Sequence, residues 1–167
     1  MAKWASKIAT YTPVAVGDGA AMTFNSYHAI SGFTATQRID VVEVYLGGQA
    51  TASAPTFMLL ARDSLTGSST AVSTVTGGSN APIDPATNTL VSAVCFTSSV
   101  THPQRSAAAG MLNLSYNAFG GIVRWVAPPG SEIKILGSTQ PFGELSLSAY
   151  TGGTPGLMGS HIIYETI

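Results

Sequence analysis

Charge is what this sequence has least of. Only 9% of its 167 residues are Asp, Glu, Lys or Arg, where soluble domains average about 25%. Sparse charge admits three readings: disorder, a membrane span, or a surface hidden by partners. Disorder is disfavoured by 45% hydrophobic content and a net charge of only -1, because such a chain has apolar surface to bury. No apolar run approaches the roughly 18 to 20 residues of a spanning helix. The expectation left standing is a subunit with much of its exterior covered by copies of itself or by a scaffold.

Cysteine is almost absent. Cys95 stands alone, which excludes an intrachain disulfide framework and leaves stability to packing and assembly. Within Leu-Val-Ser-Ala-Val-Cys-Phe it reads as a buried, inert thiol. Basic clusters are missing too. Lysine and arginine fall at 3, 7, 38, 62, 105, 124 and 134, without the concentrated patch by which a protein displaces counterions from nucleic acid. Lys3 and Lys7 make only a thin basic start. The first residues lack the apolar core of a secretory signal, so synthesis in a cytoplasm is expected. The sequon Asn113-Leu114-Ser115 is then a chance match.

Helical periodicity is the last absence: no segment of ten or more residues carries it. What is present is a series of short β-branched and aromatic runs. The strongest spans 38–46, Arg-Ile-Asp-Val-Val-Glu-Val-Tyr-Leu. Read with period two, Ile39, Val41, Glu43 and Tyr45 share one face; Asp40, Val42, Val44 and Leu46 share the other. Both faces are mostly apolar, which predicts cover on both sides. Further strands are expected at 21–30, 56–62, 70–76, 89–97, 111–116, 121–127, 132–136, 144–150 and 160–167. Segments 77–88 and 152–159 read as turn-rich loops, and 106–110 as a short helical turn or loop. Residues 1–12 read as an N-terminal arm anchored by Trp4 and Tyr11, docking onto its own domain or onto a neighbour; its removal is expected to spare the fold and impair assembly, and unfolding on removal would make it intramolecular. The remaining 13–167 form one domain. Turn signals every 8 to 15 residues make this an all-β chain, an antiparallel β-sandwich of jelly-roll character with about 8–10 strands.

Chemistry is hard to find in it. His28, His102 and His161 are isolated, and none has a second ligand type at metal-binding spacing. Asp18, Asp40, Asp63 and Asp84 are scattered, and Asp18 between two glycines reads as a turn residue. The Gly-Ser pairs lack the nucleophile-elbow pattern. Ser160 and His161 are adjacent on an extended segment and so point to opposite faces. Glu43, Glu132 and Glu144 could pair as in glycoside hydrolysis, but Glu132 and Glu144 read as solvated members of alternating strands. No catalytic, cofactor-binding or metal-binding residue is assigned, and no enzyme or cofactor is expected. Exposed aromatics for a sugar or receptor site would be Tyr116, Trp125, Phe142 and Tyr150, with Trp125 better read as core or interface.

The last third, 120–167, carries a resemblance. Arg-Trp-Val-Ala-Pro-Pro-Gly-Ser-Glu-Ile, Gly-Glu-Leu-Ser-Leu-Ser-Ala-Tyr and Ile-Ile-Tyr-Glu-Thr-Ile resemble the closing strands of viral jelly-roll structural proteins. In its Ser/Thr/Ala/Gly-rich, charge-poor character the whole chain is similar to small bacteriophage virion proteins. The resemblance implies a capsid or capsid-decorating subunit, a homo-oligomer of trimer size or larger. It would be made in a host cytoplasm and located in the virion with other virion proteins. The residues expected at its interfaces are Trp4, Tyr11, Tyr45, Gly152, Gly153, Pro155 and Leu157. The competing expectation is a carbohydrate- or receptor-binding β-sandwich module.

Overall fold

The computed structural model describes residues 2–32, 36, 38–65, 78–84, 93–96, 103–136, 143–151 and 153–167. Among them no helix occurs, and eleven strands run in order: β1 (Ala2–Tyr11), β2 (Tyr27–Gly32), β3 (Arg38–Gly48), β4 (Pro55–Leu65), β5 (Gly78–Pro82), β6 (Ala93–Phe96), β7 (Gln104–Asn117), β8 (Ile122–Val126), β9 (Ile133–Leu136), β10 (Glu144–Ala149) and β11 (Met158–Thr166). The strands form two antiparallel sheets. One has the order β5-β1-β11-β3-β8, with β9 also on β3; the other has β6-β2-β10-β4-β7.

Setting β5, β6 and β9 aside leaves β1-β11-β3-β8 facing β2-β10-β4-β7. First pairs with last, second with next-to-last, and so inward. That is the strand order of a long hairpin rolled into two Greek keys, a jelly roll. The fold class expected from the sequence is therefore the one found. β5 and β6 come from the long connection between β4 and β7, and each extends one sheet.

The N-terminal arm is a correction. Ala2–Tyr11 is β1, paired along its length with β11 and also with β5. Trp4 is 3% exposed and Tyr11 5%, so both anchors lie in the chain's own core. Ten residues with Trp4, Ser6 and Ile8 on one side and Lys3 and Lys7 on the other alternate as a strand should.

The second correction concerns 38–46. In β3, Ile163 of β11 pairs with Glu43, yet Tyr164 pairs with Val41, so Val42 is an extra residue. This β-bulge changes the phase of the pleat. Ile39 and Val41 before it, and Val44 and Leu46 after it, all point into the core and are fully buried. Glu43 and Tyr45 stay on the outer face. The strand looked apolar on both sides because strict alternation was carried across a bulge, and no second layer is needed to cover it.

Smaller differences follow the same logic. The strand expected at 21–30 begins at Tyr27, after a turn containing Asn25 with φ 55°. The segment 106–110 continues β7, and part of the 77–88 loop is β5. The expected strand 70–76, His102 and Phe142 lie outside the described residues, as does Gly152. Cys95 sits in β6 opposite Ile30.

The core between the sheets holds Trp4, Ile8, Ile30, Met58, Leu60, Leu145, Leu147, Met158, Ile162 and Tyr164 among others. One polar group spans it. The fully buried His28 of β2 is joined to Ser6 Oγ of β1 (2.8 Å) and Ser160 Oγ of β11 (2.7 Å), tying the two sheets together. Burial, with His161 adding to it, holds the His28 imidazole down at about 3, so it is neutral in the folded state.

Gly48, at the end of β3, meets the 117–121 turn without room for a side chain. A Cβ there would lie 2.2 Å from the Ala118 carbonyl oxygen, and the Gly48 amide donates to Gly121 O. Gly48→Ala should therefore lower stability by about 1–3 kcal/mol, the usual cost of forcing a backbone shift. A urea unfolding midpoint that does not move would refute this.

Candidate functional site

The sheet containing β1, β11, β3 and β8 has one face in the core and one outside. Register places Lys7, His161, Tyr45 and Arg124 side by side in a row across β1, β11, β3 and β8. The next row toward the 117–121 turn carries Gly159, Gly47 and Ile122. With no side chains on those two glycines, the sheet surface sinks. A shallow depression of about 390 Å³ results, lined by Lys7, Tyr45, Gln49, Ile122 and His161 above a glycine floor. Gly159 admits nothing larger, because a Cβ would lie 2.7 Å from Ala9 O. Gln49 closes the rim by donating from Nε2 to Ala9 O at 2.8 Å.

The charges on this face are paired, mostly across strands and once within β3. Arg124 clasps Glu43 through two hydrogen bonds of 2.7 and 2.9 Å. Asp40 takes Lys134 (2.9 Å) and Arg38 (3.2 Å), and Lys3 reaches Glu165 (3.3 Å). The Arg124 bond holds the Glu43 carboxyl below the usual range. Burial holds the His161 imidazole below its ordinary value; Glu43 opposes this and Lys7 assists it. Such exposed pairs contribute little stability individually. They do explain how few charges suffice: they are spent in opposite-sign partners on one half-solvated face.

Toward β8 and β9 exposed apolar side chains alternate with the ion-paired Arg124 and Lys134. Ile122 is 66% exposed, Val126 52% and Leu136 61%. In the sheet order β8 is the last strand, so beyond it no further strand is paired among the described residues. Phe119 and Leu157, also exposed, lie at the Ile122 end, whereas Leu136 lies opposite Arg38 at the other end of β3. Gly48 N bonds to Gly121 O and Gln49 N to Leu157 O, which draws the two loops together.

The residues expected at interfaces thus divide. Trp4 and Tyr11 are core and cannot meet a neighbour. Tyr45 flanks the depression, Leu157 lies at the Ile122 end, Pro155 is half-buried, and Gly153 is exposed with φ 97°. The expected ligand-binding aromatics do not converge. Trp125 pairs with Val44 and packs inward against the core. Tyr116 also turns inward, with its hydroxyl on Met158 Sδ at 3.0 Å, and burial pushes its phenol up. Tyr150 lies on the outer face of the other sheet, edge-on to Phe57 and beneath the Arg105 guanidinium. Sequence reading missed the depression because its floor is built of glycines from two strands far apart in the chain. Among the described residues no cluster of three metal-ligating side chains occurs, and no helix is long and apolar enough to cross a membrane.

What the fold and this face define is a jelly-roll domain with an ion-paired outer sheet, a glycine-floored depression and an apolar free edge. Comparison with family models, curated proteins and solved structures finds no match to the chain.

Proposed function

We propose that this chain is a structural subunit of a virion, a jelly-roll capsid or capsid-decorating protein that assembles through contacts with its own copies. The observation that carries the reading is the apolar free edge. Ile122, Val126 and Leu136 stand exposed on the terminal strands β8 and β9, and the charges that alternate with them, Arg124 and Lys134, are each already engaged by a carboxylate of β3, so little free charge is left to blunt pairing. Phe119 and Leu157 add two exposed apolar side chains near the Ile122 end of that edge, where a neighbouring copy would cover them. Jelly rolls serve as viral capsid and lectin domains, which agrees with the resemblance of segment 120–167. β3 adds nothing to this surface, since its bulge turns Ile39, Val41, Val44 and Leu46 into the core.

Light scattering on the purified chain, with negative-stain microscopy, tests this. Trimers or larger assemblies are expected. Ile122→Lys together with Val126→Lys should reduce them to smaller species while the β circular dichroism spectrum persists, because exposed substitutions cost within about 0.5 kcal/mol. A wild-type chain that stays monomeric at high concentration overturns the proposal.

One observation favours a second reading, a carbohydrate- or receptor-binding module. The depression sets the Tyr45 ring beside Lys7, Gln49 and His161, and its volume falls within the range of small-ligand sites. A glycan array that lights up for wild type and goes dark for Tyr45→Ala would favour it.

A further inference from the structure

The second sheet hides an unexpected row of polar groups. Register places Ser31 of β2, Glu144 of β10, Asp63 of β4 and Arg105 of β7 side by side on its outer face. All four are buried: Arg105 and Asp63 are 0% exposed, Glu144 1% and Ser31 8%. Glu144, expected as a solvated strand residue, is thus enclosed. The cover includes residues 12–26, the strap that joins β1 to β2. Val16 N bonds to Ala149 O, Gly19 N to Arg105 O and Met22 N to Pro103 O.

Arg105 is the link between row and strap. Its Nε donates to Asp18 Oδ1 at 2.7 Å, and another nitrogen donates to Val16 O; both acceptors are on the strap. Its remaining nitrogen reaches Ser148 Oγ of β10 at 2.6 Å. One cation therefore stands over three carboxyl groups: Asp18, which it hydrogen-bonds, Asp63, its neighbour across β4, and Glu144, one strand further on β10. Asp63 and Glu144 are direct cross-strand neighbours, where two like charges repel, and burial adds to the cost of ionising both. Asp63 accepts from Ser146 Oγ at 2.6 Å and is hydrogen-bonded to Glu144. The other titratable groups nearby are Tyr150, under the guanidinium, and Tyr27, two rows away on β2; Arg62 neighbours Asp63 along β4.

We propose that Asp63 and Glu144 form a proton-linked latch on the 12–26 strap. While the pair shares one proton, Arg105 is spent on Asp18 and Val16 O and the strap is held. When that proton leaves, the second buried negative charge draws Arg105 toward the sheet and the strap loosens. Burial, opposed by Ser146, Glu144 and Arg105, raises the Asp63 carboxyl to about 7, which sets the latch near neutrality. The sign follows from linkage. A carboxyl raised above its unfolded value binds its proton more tightly when folded. Its stabilisation is complete below the unfolded value near 4 and is lost as pH rises through about 7. His28 acts with the opposite sign on the acid side: its contribution is present above about 6.5 and lost as pH falls toward about 3. It is nearly silent in the window that matters.

Amide hydrogen exchange resolved at Val16, Gly19 and Met22, corrected for intrinsic rates, tests the latch at about pH 6 and about pH 8.5. Wild type should lose protection there by about tenfold or more at the higher pH, while Ile162 and Leu147 in the core keep theirs. Glu144→Gln, isosteric and with one carboxyl left to Arg105, should hold the strap equally at both pH values. Equal wild-type protection at the two pH values, or the same loss in Glu144→Gln, overturns the proposal. Should that variant not fold, carbon-13 carboxyl titration of the wild type decides. A buried carboxyl titrating near 7 supports the latch; Asp63 and Glu144 both titrating below about 5 sink it.

Discussion

Removing residues 1–11 should unfold the protein. β1 is an inner strand of its sheet, bonded to β11 on one side and β5 on the other. Its loss would strip backbone partners from both neighbours, and unpaired buried backbone groups are costly. It would also remove Trp4, Ile8 and Tyr11 from the core. Replacing one such large side chain by alanine costs about 3–5 kcal/mol, and a domain of this size holds only about 5–15 kcal/mol in all. Deleting three of them together with a strand exceeds that margin. Ser6 leaves as well, and with it one of the two hydroxyls that satisfy His28. The truncated chain should show no cooperative thermal transition and should lose its β circular dichroism signal. A truncated chain that melts cooperatively near the wild-type temperature would mean that β1 is a detachable arm after all.

Arg105→Met should cost about 3–5 kcal/mol, the usual penalty for removing one partner from a buried charge network. Methionine fills similar volume, so the loss reports hydrogen bonds and charge more than a cavity. Asp18, the Val16 carbonyl and Ser148 each lose a donor, and the aromatic face of Tyr150 loses its cation. Asp18 is partly exposed and can rehydrate, which places the cost toward the lower end. Arg105→Lys should recover only part of it, because an ammonium cannot span acceptors on two elements as a planar guanidinium does. Denaturant unfolding of the three proteins checks the order: wild type most stable, lysine between, methionine least. A methionine variant within about 1 kcal/mol of wild type would show that the strap does not depend on this side chain.

These two residues sets show where reading the chain succeeds and where it stops. Strand positions in 56–62, 111–116, 121–127, 132–136, 144–150 and 160–167 were legible because alternation and turn residues are local properties. The outward placement of Lys3, Lys7 and Arg124 was equally legible in hindsight from period two. β3 defeated the same rule at one residue, Val42, because a bulge is set by the partner strand and not by the strand itself. Trp4 could have been assigned to the core from its alternation with Lys3 and Lys7, yet its terminal position suggested an arm. Glu144 had no local signal at all: nothing in Glu-Leu-Ser-Leu-Ser-Ala announces that both faces of β10 are buried.

The sequence by itself determined an all-β sandwich, since short alternating runs broken by glycine and proline leave no other way to bury 45% hydrophobic residues without helices. It also determined that few charges would be available, and hence that each buried one would need a partner. Only the tertiary structure decided which partners. Asp63, Arg105 and Glu144 lie tens of residues apart, as do the glycines beneath Tyr45, and each pattern says nothing about the others until the hairpin rolls up. Local periodicity fixes which way a side chain points; the meeting of distant strands fixes what it points at.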